Sequence, residues 1–381
     1  MATRVEVSPG LLTWASERSG VDPQDLGEKF PKLEAWASGE IRPTLKQLEK
    51  FARATHTPFG FLLLREPPDE RLPVPDFRTI PKGGSSRPSP NLLDTIFLCE
   101  QRQEWYRSYM QSIGSDPHPF VGSLNLKTDI VKAARLMQEQ LRFGLDSRRE
   151  MSSWSEALRE FAERAEDAGV LVMINGVVGS NTHRKLDPEE FRGFALVDNL
   201  APVVFINGAD TKAAQIFTLA HELAHIWLGA PALSNPRLDM KPNQEVERWC
   251  NAVAAELLVP MQALRAQYSE ESPLKDEASR LARLYRVSTL VVLRRIFDAG
   301  YLSWERYRRA FAAEISQIAE RKRATGGDFY KTQPVRASKR FARAIVADTL
   351  EGRTLHRDAF QLLGIRKHET FTELGERLGV T

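Results

Sequence analysis

Residues 218–228 read TLAHELAHIWL, with His221 and His225 on either side of Glu222. On a helix, side chains four residues apart sit one above the other on the same face, so both imidazoles can grip a single ion. The pattern H-E-x-x-H places a glutamate next to that ion without requiring it to ligate, where it can take a proton from an activated water. The competing explanation is an amphipathic helix whose histidines are solvated or held as core residues. Two features count against it. The chain has only seven histidines, so this spacing around a glutamate rarely arises by chance. The apolar stripe Ile216, Leu219, Leu223 and Trp227 also leaves the histidines off the core side, beside a face expected to be open.

Two histidines leave a catalytic zinc site one protein ligand short. The next helical stretch, NQEVERWCNAVAAELLVP (243–260), offers Glu245, Glu247 and Glu256. Its buried stripe is Val246, Cys250, Val253 and Leu257. Glu247 borders that stripe and shares a face with Asn251 and Ala254, while Glu256 shares one with Trp249 and Ala252. Periodicity favours Glu247 mildly, and at least two of the three glutamates are expected on a solvated face.

Outward from this centre, VLVMING (170–176), FRGFALVD (191–198) and PVVFING (202–208) are short, rich in β-branched or aromatic residues and bounded by Gly, Asn or Asp, as strands are. Helices are expected over about 91–114, 126–142, 153–169, 210–228, 243–258 and 275–302, with a final α-rich piece over 338–380. The fold class is therefore α+β. The 381 residues suffice for two or three domains, and 42% hydrophobic with 27% charged residues is ordinary for a globular chain. A net charge of +3 is too mild to imply nucleic acid by itself, although residues 306–343 hold eleven Lys/Arg against three Asp/Glu. Two cysteines form no framework, and the N-terminus MATRVEVSPG has no signal-peptide core. A soluble, cytoplasmic protein with no membrane partner is expected.

The zinc segment resembles the ImmA/IrrE family of metallopeptidases, bacterial proteins that cleave transcriptional repressors. The family runs from a strand ending in Asn, through F-T-x-A-H-E-x-x-H, to E-x-x-A-N-x-F-A-x-x-L-L-x-P. Here those elements are VVFIN (203–207), FTLAHELAH (217–225), then Glu247, Asn251, Ala254, Leu257, Leu258 and Pro260. Cys250 replaces the usual Ala and Val253 the usual Phe; neither change touches chemistry. The resemblance spans about 155–303, including LARLYRVSTLVVLRRIFDAGYLS (281–303), which is similar to the helix-turn-helix-like unit that tends to follow this zinc fold. It implies a zincin-like peptidase with His221, His225 and Glu247 as zinc ligands and Glu222 as general base. Manganese would accept the same ligands. Substrate would pair with an edge strand, for which Gly193, Phe194, Ala195 and Leu196 of FRGFALVD are the candidates. The oxyanion partner is not legible, and His183, Tyr285 and Tyr301 stand unranked.

The N-terminal stretch, with W-x-x-G-x-x-x-P-T-x-x-Q-L over Trp36–Leu48 and the following PFGFLLLREPP, resembles phage-repressor-like (Xre) regulators. Pro31 interrupts the region where a base-reading helix should run, and no DNA-contacting residue can be named. A helix is expected from Thr44 as N-cap. The basic stretch beyond 306 interleaves cations with Tyr307, Phe329 and Tyr330, as if to contact phosphates, although a solvated face or a dock for an acidic partner is the commoner use of such a run.

The expected organisation is an Xre-like helical domain (1–64), a Pro-rich linker (65–90), a helical connecting region (91–150), a zincin-like core (151–272), a helix-turn-helix-like unit (273–305) and a basic α-rich region (306–381). The expected function is a zinc endopeptidase that cleaves a repressor or antitoxin in a stress or mobile-element response. The alternative is a DNA-binding regulator or toxin–antitoxin component in which the zinc fold serves sensing or binding.

Overall fold

A computed structural model describes residues 3–70, 75, 88–234, 244–321 and 336–380. Most of the expected 65–90 linker, and the basic run 322–335 with Phe329 and Tyr330, lie outside the described residues. The chain divides into two compact units, Met1–Pro73 with Gly83–Thr95, and Val74–Lys82 with Ile96–Thr381.

Among its described residues the first unit holds the short α-helices α1 (Pro9–Ser19), α2 (Pro23–Lys29), α3 (Leu33–Ala37) and α4 (Leu45–Ala54), followed by a 3-10 turn over Phe59–Leu63. Leu11, Leu12, Leu26, Phe30, Trp36, Leu48 and Phe51 form its core. Thr44 caps α4 in a reciprocal box, its hydroxyl accepting from the Gln47 amide while the Gln47 side chain accepts from the Thr44 amide. Pro31 falls in the turn between α2 and α3, and α3 has only five residues.

The second unit is α+β. Helices α5 (Pro90–Ser112, from residue 96), α6 (Ile130–Leu141), α7 (Leu145–Arg149) and α8 (Trp154–Asp167) precede six strands. These are β1 (Leu171–Asn175), β2 (Val177–Val178), β3 (Asn181–Lys185), β4 (Gly193–Leu196), β5 (Val203–Asn207) and, beyond α9 (Lys212–Leu228), β6 (Ala232–Ser234). The main sheet has the order β1-β5-β4-β6. β1 and β5 run parallel, in register from Leu171↔Val203 to Asn175↔Asn207, and β4 is antiparallel to both β5 and β6.

Sequence had suggested β4 as the edge strand, because it precedes the apolar β5. The structure corrects this: β4 is paired on both sides, and the three-residue β6 is its outer neighbour. A segment so short, just past α9, carries no strand signal of its own. The β2–β3 hairpin was likewise invisible, since NTHRK has no apolar alternation.

β1, β4 and β5 are uniformly buried because the main sheet is covered on both faces. Val172, Ile174, Val204, Ile206 and Ala195 join the cluster built with α8 and α9. On the opposite face Phe194 stacks on Phe205 at 5.0 Å, and Met173 meets Cys99 and Arg102 of α5. Burial pushes the Cys99 thiol up to about 12, which leaves it an inert packing group.

After α9 come α10 (Glu245–Leu258), α11 (Met261–Gln267), α12 (Leu274–Tyr285), α13 (Thr289–Asp298) and α14 (Trp304–Arg321). A closing trio follows, α15 (Lys339–Leu350), α16 (His356–Leu363) and α17 (His368–Leu378). α12 and α13 are separated by Arg286, whose φ of 55° turns the chain. Tyr307, expected to be available for stacking, is instead fully buried against Phe297 and Phe311. Among the described residues no helix is long and apolar enough to cross a membrane.

Arg148 of α7 ties these helices together. It is fully buried and donates to the carbonyls of Leu258 (2.7 Å), Tyr285 (3.0 Å) and Leu257 (3.3 Å), so one guanidinium satisfies the C-terminal ends of both α10 and α12. Burial lowers it to about 10, still charged at neutral pH. Arg148→Met strands those carbonyls and is expected to cost about 2–4 kcal/mol, read as a lower midpoint in equilibrium urea unfolding.

Candidate metal centre

β5 ends at Asn207, and Thr211 starts α9 by accepting from the Ala214 amide at 3.3 Å. Gly229, at φ 72°, stops the helix just past its last apolar residue. Between these signals every residue from Gln215 to Trp227 is buried. The face expected to be open beside the histidines is covered in this structure. α8 and α10 pack on α9 along with β4 and β5, so His221, Glu222 and His225 each have 0% exposure. Buried histidine and glutamate at such a position need partners.

The structure brings His221, His225 and Glu247 together. Glu247 lies in the first turn of α10, with its two oxygens 3.0 Å from His225 Nε2 and 3.3 Å from His221 Nε2. The two Nε2 atoms are 3.2 Å apart. The other glutamates go elsewhere. Glu245 is exposed at the helix start. Glu256, expected on a solvated face, is buried, pairs with Arg295 of α13 and accepts from the Met261 amide.

Tautomer chemistry tests whether these residues fit an ion. His225 Nδ1 lies 3.1 Å from the Ala230 carbonyl, which can only accept, so Nδ1 carries the proton. Burial, with His221 adding to it, holds His225 below the ordinary imidazole range, so the ring is neutral and Nε2 presents a lone pair. That lone pair faces a carboxylate oxygen and a second imidazole nitrogen. A proton on His221 can serve one of these contacts but not all of them, whereas a cation at the centre serves all three. Around a small divalent metal with bonds near 2.1 Å, tetrahedral donors lie about 3.4 Å apart, close to the spacings found. The residues fit a metal ion, and the hydrogen bond to Ala230 is the kind of outer contact that orients a ligand histidine.

Burial alone would raise the Glu247 carboxyl, yet the two imidazoles beside it hold it below the usual range. Asn251 sits one turn on from Glu247, and its side-chain oxygen is buried with no hydrogen-bond partner among the described residues. Cys250 is buried with its thiol pushed well up, and it is not part of the His221, His225 and Glu247 cluster.

Of the four β4 residues, Gly193 touches the centre directly, for a reason other than edge pairing. A Cβ there would meet Thr218 Cγ2 at 2.7 Å, the Phe205 carbonyl at 2.9 Å and Glu222 Oε1 at 3.0 Å. Only glycine lets β4 and α9 approach this closely. Phe194, Ala195 and Leu196 are buried; Phe194 and Ala195 are paired on both sides, while Leu196 pairs with β5 and its carbonyl accepts from Gln103. Among the unranked residues, His183 is exposed on β3, Tyr301 packs on Tyr268 at 4.6 Å, and Tyr285 buries its hydroxyl in α12.

Residues 165–297, from the end of α8 through α13, match the family model for the IrrE N-terminal-like domain of the M78 peptidases, a metallopeptidase family. This supports the ImmA/IrrE family for that part of the chain and a peptidase-family function. Residues 337–377, which hold the closing helices, match a domain of unknown function (DUF8813). No curated protein matches the chain.

Three outcomes follow from the geometry. Glu247→Ala is expected to weaken metal binding at least about 100-fold, measured by competition with a chromogenic chelator. Gly193→Ala is expected to lower the urea midpoint and displace Glu222, at a cost of about 1–3 kcal/mol. In the metal-free protein His225 has a depressed pKa when folded, so the unfolded chain binds the extra proton. Stability is therefore present above the unfolded value near 6.5 and is lost as pH falls below it, which urea titrations at pH 7.5 and 5.5 will show.

Proposed function

We propose that the chain is a zinc-dependent endopeptidase that cleaves a bacterial regulatory protein, a repressor or antitoxin. The observation that carries this reading is the buried trio His221, His225 and Glu247, with Glu222 between the two histidines on α9. Two imidazoles and one carboxylate suit zinc, and a set of three leaves a coordination position for chemistry, where structural sites normally close with a fourth protein ligand. Zinc supplies Lewis acidity, polarising a carbonyl and making water acidic near neutral pH.

Glu222 takes the proton of the attacking water and delivers it to the departing amine nitrogen. Its carboxylate rests against Gly193, so β4 fixes its position from the side opposite the helix. Glu247 and the Ala230 carbonyl orient the imidazoles. The substrate backbone pairs with the outer edge of β6, since β4 has no free edge. That edge accepts main chain: the Leu233 amide donates to the Pro75 carbonyl at 3.0 Å, a contact an incoming peptide replaces. The α12–α13 pair joined at Arg286 favours a second reading, in which the protein acts as a DNA-binding regulator.

The deciding assay compares the wild type with Glu222→Gln, both confirmed zinc-loaded, against a repressor encoded beside the gene. The expected result is cleavage by the wild type and a loss of at least about 100-fold in the variant with zinc retained. Cleavage by neither protein, with sequence-specific DNA shifts by both, would establish the regulator instead.

A further inference from the structure

A cavity of about 720 Å³ lies away from the metal centre, between α8, the start of α9 and the α12–α14 helices. Lys212, Lys275 and Arg283 line it, and among the described residues none of them has a carboxylate partner; Lys212 reaches only the Gln215 side chain at 3.3 Å. The one lining carboxylate among the described residues, Glu314, accepts from the Thr289 hydroxyl at 2.7 Å. Asp210, next to the cavity in sequence, is held by Arg192 and the Thr211 amide. Three cations against one engaged carboxylate make this recess electropositive, and the walls focus that field. The first turns of α8, α9 and α13 also border the cavity, which only adds to a charge the side chains already set.

The remaining wall is apolar. Trp154 lines the cavity beside Val287, with its indole N–H fixed on the Val287 carbonyl at 2.9 Å. A lone inorganic anion would leave most of this volume unfilled, because the space is that of a pocket for a small organic molecule. Gathered cations select phosphate, and a rigid aromatic beside them selects a flat ring on the same molecule.

We propose that this cavity binds a nucleotide, with its phosphates on Lys212, Lys275 and Arg283 and its base against Trp154 and Val287. The site is independent of the metal centre and stands whether or not the protein cleaves peptides.

Calorimetric titration of the full-length chain with ADP, pyrophosphate and adenosine, without added magnesium, tests it. ADP is expected to bind, and Lys212→Gln with Lys275→Gln to weaken it at least about tenfold, both side chains being exposed and so replaceable without unfolding. Trp154→Leu weakens ADP while leaving pyrophosphate unchanged. Lys367→Gln, exposed and not part of the lining, changes neither. The proposal is overturned if 1 mM ADP, a concentration on the order of a weak-binding limit, gives no heat of binding, or if the double variant binds ADP as the wild type does. It is equally overturned if adenosine binds as tightly as ADP, or if a single-stranded oligonucleotide binds and ADP does not.

Discussion

Two imidazole nitrogens and a carboxylate converge within 3.0–3.3 Å in the closed interior of the second unit. Lone pairs so placed repel one another, and no water layer screens them as it would at a surface. The surrounding structure exists under that constraint. The two helices that carry the three groups must cross closely enough to bring them together and be held rigidly enough to keep them there. A hydrophobic core of the same shape would tolerate small slips between helices, but a polar centre of this kind does not.

The means of holding are legible in the packing. α9 is enclosed on all sides, by the sheet on one and by α8 and α10 on others. Its contact with β4 is as tight as it is because residue 193 has no side chain. α10 is pinned at its far end by two buried arginines: Arg148 takes the carbonyls of Leu257 and Leu258, and Arg295 takes that of Val259 while pairing with Glu256. A displacement of α10 along its axis would therefore break charged hydrogen bonds at one end and the polar centre at the other.

How much of this was legible in the sequence depended on the range of the signal. The spacing of His221 and His225, the cap at Thr44 and the apolar runs of β1, β4 and β5 are local, and each reads directly from neighbouring residues. The edge of the sheet did not read, because ALS is too short to announce a strand and its pairing with β4 is set thirty-odd residues away. Periodicity misjudged α9 as well. It reports how many faces of a helix are apolar, and a helix that buries a polar face in a metal centre defeats it. The roles of Arg148, Arg295 and Glu256 were equally hidden, since a charged residue in a sequence looks solvated until the carbonyls that receive it are known. Tyr307 shows the reverse error: an aromatic among cations suggested a stacking surface, and Phe297 and Phe311 claim it for the core.

Arg102 of α5 is buried with no carboxylate partner among the described residues, and burial lowers its pKa. Two of its acceptors, the carbonyls of Leu362 and Arg336, come from the far end of the chain, and Met173 of β1 supplies a third contact. A polypeptide ending before residue 336 would leave that guanidinium with only the Met173 sulfur of these three acceptors. The boundaries of the peptidase-like match at 165–297 thus mark where sequences are shared and not where this molecule can be cut. The closing helices belong to the same compact unit as the candidate metal centre and are tied to α5 through Arg102.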